Sequence, residues 1–333
     1  MWIARPGSLL LLSLAACGGS PAAAPVDLGA TDVAAPIDLL VPRDGPLVDD
    51  PYSRPGPSGT TTVTQTASLA GFELTLTTYV PTGTGPYPVV VLSPGFNQVA
   101  AAYVPYAERM ASHEMVVVLR DDPGAFTATT GEADQLVALV ADWLPAQNGK
   151  PMGPLAGRLD LAHVGLIGHS RGGQVSTLAA TGDLHGKVAA LFGLDPVDVA
   201  IGGRQARADL PSIGIPTAFL GETLDGQPVV PGGLACAPAA DDYAVLYAAA
   251  PSPSLLLTAL GADHYDFELA SASIGSFACH SGSADSTAVL EMSIALATGF
   301  FARELRGAAV GPLLDEAGAA AYLALGLLAR QAK

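Results

Sequence analysis

Basic residues are scarce in this chain. Lys and Arg number 15 against 31 Asp and Glu, leaving a formal net charge of -16 over 333 residues. A surface this acidic repels phosphate backbones, which argues against nucleic-acid binding. The same charge favours solubility. Aromatics are few, at 6%, so aliphatic side chains must build most of the core. Cysteines number 3, and no Cys/His spacing resembles a metal site. Nothing in the sequence calls for a cofactor. The apolar runs near the two ends, Ser8–Leu14 and Tyr322–Ala329, are each too short to span a bilayer.

Half of the chain is hydrophobic, with 38 Gly and 27 Pro. That is enough to bury one large α/β core or two small ones. The first residues read as an address. Arg5 gives a basic start, Ser8–Leu14 an apolar run, and Ala15 and Ala16 the small residues of a cleavage site, so residues 1–16 read as a signal peptide. Leu14-Ala15-Ala16-Cys17 resembles the bacterial lipoprotein box, in which the Cys is lipidated and becomes the first residue. The alternative is an ordinary secretory signal with a chance Cys. Gly18 and Gly19 follow, with no acidic residue to suggest inner-membrane retention. The expected location is the bacterial envelope, at the outer membrane, or the exterior if the chain is secreted. An exported protein meets oxidising conditions, so the remaining pair, Cys236 and Cys279, reads as one disulfide.

Residues 17–58 are rich in Pro, Ala, Gly and Asp, without apolar period. They read as a disordered tether, although their apolar residues could instead dock on the domain. The folded domain is expected over 59–333. Thr61–Leu69 and Phe72–Val80 alternate and read as a hairpin. Buried strands are expected at Pro88–Leu92, Met115–Leu119, His163–Gly168, Val188–Leu194, Thr217–Leu220 and Leu255–Leu260. Helical spacing marks Tyr103–Ser112, Glu132–Trp143, Gln174–Ala180, Ser286–Leu305 and, at the end, Tyr322–Ala329. Such alternation predicts an α/β fold, a mostly parallel sheet with helices on both faces. Asp198–Pro216, where Gly, Arg and Asp cluster, could form a small lid.

Gly168-His169-Ser170-Arg171-Gly172 fits G-x-S-x-G directly after an apolar strand and before a helix. A serine on so sharp a turn needs small neighbours and sits at the positive end of the next helix. Ser170 is therefore the candidate nucleophile. The base should follow the last strand, and His264 alone among 6 histidines has that position and order. The acid must accept the other imidazole N–H. Asp195 and Asp225 both follow strands, and spacing does not choose between them. An oxyanion hole needs two backbone N–H groups. Arg171, after the nucleophile, and Phe96, in Ser93-Pro94-Gly95-Phe96-Asn97, are the candidates.

Gly168-His169-Ser170-Arg171-Gly172-Gly173, Asp195-Pro196-Val197-Asp198, Cys236-Ala237-Pro238, and His264 with Asp266 resemble the chlorophyllase-like branch of the α/β hydrolases. The resemblance runs from about Tyr87 to Gly307. Related branches are the platelet-activating-factor acetylhydrolases and the cutinase-like polyester hydrolases. The chlorophyllase pattern implies Asp195 as the acid, and the cutinase-like pattern implies Asp225. The first three of these segments rank Asp195 first. The resemblance implies the α/β-hydrolase fold and a serine hydrolase of carboxylic esters, with a small-molecule or lipid-like ester as substrate and no cofactor or metal. It does not fix chlorophyll as that substrate. Rival readings are a peptidase or thioesterase on the same fold, or a non-catalytic envelope binding protein that retains it.

Overall fold

The computed structural model describes residues 49–121, 127–200, 204–269 and 279–333. The signal peptide, Cys17 and the tether through residue 48 lie outside the described residues.

The chain alternates as its sequence suggests. β1 (Thr60–Leu69) and β2 (Phe72–Pro81) form the hairpin, joined at Ala70-Gly71, where both residues have positive φ. That is the two-residue turn whose twist matches paired strands. Next come β3 (Tyr87–Ser93), α1 (Val104–Ser112), β4 (Val116–Arg120) and α2 (Thr129–Ala138). A π turn, Leu139–Trp143, links α2 to α3 (Leu144–Gly149), so the helix expected over Glu132–Trp143 begins earlier and changes pitch. Then follow β5 (Leu159–His169), α4 (Arg171–Thr181), β6 (Ala190–Leu194), β7 (Thr217–Gly221), α5 (Tyr243–Ala249), β8 (Ser254–Ala259) and α6 (Ser286–Arg306). α7 (Glu316–Ala324) and β9 (Leu328–Ala332) end the chain.

The described strands make one nine-stranded sheet in the order β1-β2-β4-β3-β5-β6-β7-β8-β9. From β4 through β8 neighbours are parallel; the flanking strands are antiparallel. This is the mostly parallel α/β-hydrolase sheet expected. Side chains alternate across each strand. Val90, Leu92, Ile167 and Phe192 face a core built with α1 and α6. Val89, Val91, Leu166 and Leu191 face the opposite core, with α2, α4 and α5. The parallel strands therefore all end on one edge, where their loops meet.

Three expectations need correction. The chain does not end as a helix over Tyr322–Ala329. Gly326, at φ +67, turns the backbone left-handed after α7, and Leu328–Ala332 pairs with the open edge of β8. The tether does not reach Ser58 unfolded. Asp50 is buried and accepts the N–H groups of Tyr52 (2.8 Å) and Leu313 (2.9 Å), while the buried Tyr52 donates its hydroxyl to Ala309 O. Among the described residues, packed backbone is therefore present from Asp50. The described part of Asp198–Pro216 is no lid. Asp198 is buried and takes the N–H groups of Ala206 and Arg207, and Ala206, Leu210 and Ile213 pack into the core.

Candidate active site

β5 runs straight into the turn at Ser170, whose φ of 52 and ψ of -123 lie in a strained region for a non-glycine residue. Backbone bonds hold it there. Ser170 N–H donates to Leu194 O at 2.9 Å, and Ser170 O accepts from Gly173 N (3.0 Å) and Val197 N (3.1 Å). The flanking glycines are required sterically. A Cβ at Gly168 would strike the Gly172 carbonyl, and one at Gly172 would strike the carbonyls of Ser93 and Pro94. Arg171 opens α4, so its N–H has no intrahelical acceptor.

Asp195 directly follows β6, fully buried, with φ 36, and its Oδ2 stands 2.5 Å from His264 Nδ1. Among the described residues its Oδ1 has no partner. Asp225, equally buried beyond β7, does not touch that ring. It accepts the backbone N–H of His264 (2.8 Å, Oδ2) and of His280 (2.5 Å, Oδ1). Of the two candidate acids, Asp195 lies on the imidazole and Asp225 holds the loop that carries it. Burial alone pulls the His264 pKa down. The hydrogen bond and charge of Asp195, helped by Asp225 and Glu222, outweigh it and raise the pKa above 6.5.

The turn after β3 reaches the serine. A Cβ built on Gly95 would lie 3.4 Å from Ser170 Cβ. Phe96 follows, half exposed, with the Arg171 guanidinium 5.5 Å above its ring. That guanidinium is anchored on Thr127 O and Glu132, and Glu132 also faces the buried Arg120 at 3.5 Å.

Residues without a sequence-derived role join these pieces. His169 is buried, with Nε2 3.0 Å from His264 O and Nδ1 2.8 Å from the Tyr103 hydroxyl. The same hydroxyl accepts Gly95 N–H at 3.0 Å and lies 2.8 Å from Glu268 Oε2. The available sequence signal is faint: a polar residue inside the G-x-S-x-G turn, and a glutamate one helical turn beyond His264.

Cys236 and Cys279 form a disulfide with Cα atoms 4.9 Å apart. With Asp225 they bring potential ligand atoms within 4.8 Å of one another, but the sulfurs are bonded to each other and offer no thiolate. Disulfides belong to oxidising compartments. Among the described residues no helix is long and apolar enough to cross a membrane.

No curated protein sequence matches the chain. The family model for chlorophyllase matches residues 57–305, from just before the hairpin to the end of α6. A mostly parallel sheet, a strained serine turn and a match over this span together place the chain in the chlorophyllase family, hydrolases of the α/β type that act on esters.

Proposed function

We propose that the protein is a serine esterase in which Ser170 is the nucleophile, His264 the base and Asp195 the acid that orients it. One observation carries this reading: a buried aspartate 2.5 Å from Nδ1 of the histidine whose loop is bonded to the residue beside Ser170. Asp195 fixes the tautomer that leaves Nε2 free to take the Ser170 proton, and it stabilises the imidazolium that results. Serine Oγ then bonds to the ester carbonyl carbon, and the oxyanion is received by the N–H groups of Arg171 and Phe96. The C–O bond to the alcohol breaks as His264 returns the proton to the leaving oxygen. Water, activated by His264, splits the acyl-enzyme and releases the acid.

The preferred ester is apolar. Phe96 and Val99, after β3, and Val229, Val230 and Leu234, after β7, are exposed on loops leaving the edge that carries Ser170. Exposed apolar side chains on loops that leave such an edge favour a lipid-like acyl or alcohol group. Nitrophenyl esters of graded chain length test this with the mature protein. Specificity should rise with chain length and exceed that for matched thioester and peptide substrates. A preference for acetyl esters, or for peptides, would overturn it.

The leader supports export and anchoring through a lipidated Cys17. Cys17→Ser should abolish lipid-dependent processing and membrane retention. Membrane fractionation like that of the wild type would refute the anchor.

A further inference from the structure

We infer that His169 and Tyr103 are positioning residues that lock the nucleophile turn, the oxyanion loop and the base loop to one another. The inference rests on the esterase reading above and concerns how its parts are held in register.

The three parts come from separate stretches of chain. Ser170 follows β5, Gly95 and Phe96 follow β3, and His264 follows β8. Strand pairing fixes the strand ends, yet it leaves the loops beyond them free to tilt. Productive attack needs reacting atoms placed to a fraction of an ångström.

The base loop is gripped on both sides of His264. Asp225 accepts its backbone N–H at 2.8 Å, and His169 Nε2 meets its backbone carbonyl at 3.0 Å. A carbonyl can only accept, so His169 carries its proton on Nε2. Burial, then the charge of His264, hold the His169 pKa well below 6.5, so its ring is neutral and Nδ1 is an acceptor. Without that N–H the His264 carbonyl would be a buried acceptor with its partner gone, and the peptide plane would turn to find another. Turning it swings the imidazole that must meet Ser170.

The oxyanion loop is gripped from the same ring. His169 Nδ1 lies 2.8 Å from the Tyr103 hydroxyl, and that oxygen accepts the Gly95 N–H at 3.0 Å. Gly95 immediately precedes Phe96, the proposed second oxyanion donor. The contact is close enough that a Cβ on Gly95 would come 3.0 Å from His169 Nδ1. Glu268 Oε2, 2.8 Å from the same hydroxyl, belongs to the turn that follows His264 and shares with Nδ1 the single hydroxyl proton. His169 and Tyr103 are 1% and 0% exposed, so water does not replace these bonds. The residue beside the nucleophile therefore sets both of its partners.

Asparagine and glutamine separate the two halves of this device, because an Asn amide reaches the place of Nδ1 and a Gln amide the place of Nε2. Full-length His169→Asn, His169→Gln and Tyr103→Phe should be assayed on one nitrophenyl ester, with kcat divided by active sites titrated with a fluorophosphonate, and Ser170→Ala should be assayed on the same ester per mole of protein. His169→Asn should lower kcat by about 100-fold with KM little changed, as expected for a base displaced by about 1 Å. His169→Gln should recover most of that loss. Tyr103→Phe, which removes one oxygen atom and keeps the ring, should lower kcat by roughly tenfold through misdirected oxyanion donors. A packing role alone would lower the titrated fraction and the melting temperature, and would not favour Gln over Asn. Wild-type kcat per site in His169→Asn and Tyr103→Phe, or equal losses in Asn and Gln, overturns the inference. If Ser170→Ala stays active, the esterase reading itself falls and takes the inference with it.

Discussion

Strands β6 and β7 lie side by side, run parallel, and are each followed by a fully buried aspartate. Asp195, directly after β6, puts one oxygen 2.5 Å from an imidazole nitrogen. Asp225, four residues beyond β7, gives both oxygens to backbone N–H groups, of His264 and His280. The two carboxylates serve one histidine, one through its ring and the other through its main chain. The difference shows that a strand-end carboxylate takes its role from the donors within reach. Where a loop offers two amides, the carboxylate becomes a clamp. Where it offers a ring nitrogen, it can orient a base.

The sharpest way to break the comparison is to replace each aspartate by asparagine. Asp195→Asn should lower kcat by about 10^4-fold with the fold intact, because the amide favours the wrong imidazole tautomer. Asp225→Asn keeps one acceptor and turns an N–H toward the other amide. It should lower kcat by roughly tenfold, with a loss of about 1–3 kcal/mol in stability for the unpaired buried group. Steady-state kinetics and thermal melts of both variants check this, and a larger kinetic loss in Asp225→Asn would reverse the roles.

The next effect acts through the disulfide. Cys279 is bonded to Cys236 and adjoins His280, whose N–H is held by Asp225. Cutting the bridge should loosen the clamp and leave the contact between Asp195 and the ring. Paired Cys236→Ser and Cys279→Ser substitution should cost about 2–4 kcal/mol of stability. The kinetic loss should be smaller than in Asp195→Asn. Non-reducing peptide mapping should recover the bridged peptides, and two free thiols would refute the pairing.

Smaller still is the pH effect. His264 must be neutral to accept a proton. Its pKa lies above 6.5, because the bond and charge of Asp195 outweigh the lowering by burial. kcat/KM should therefore fall as pH drops through a midpoint above 6.5, and Asp195→Asn should move that midpoint down. The smallest effect lies just beyond β7. Burial, then the charge of Asp195, pushes Glu222 up to about 8 from 4.5. Between those values the folded chain holds a proton that the unfolded chain has released, so stability falls as pH rises. Glu222→Gln should flatten that slope in melts across pH 5–9.

Local chemistry made much of this legible. The strand-turn-helix around Ser170 is written in adjacent residues, and buried strands announce themselves as Val-rich runs such as Val116-Val117-Val118. His264 is found from chain order. Asp195 and Asp225 could not be separated by spacing, because their roles depend on where oxygens point in a folded loop. Tyr103, His169 and Glu268 meet only through tertiary structure, the first two 66 positions apart in sequence and Tyr103 and Glu268 165 positions apart. The same holds for β9, whose strand character comes from the edge of β8. Asp50 reads as one more acidic residue of a linker until its partner Leu313, 263 residues away, is known.

The measurement that bears most directly on the account is fluorophosphonate labelling of the native protein, read by peptide mapping beside ester turnover in Ser170→Ala. The account predicts the adduct on Ser170, a slower adduct in Asp195→Asn, and no turnover in Ser170→Ala. An adduct on another serine, or undiminished hydrolysis by Ser170→Ala, would contradict it.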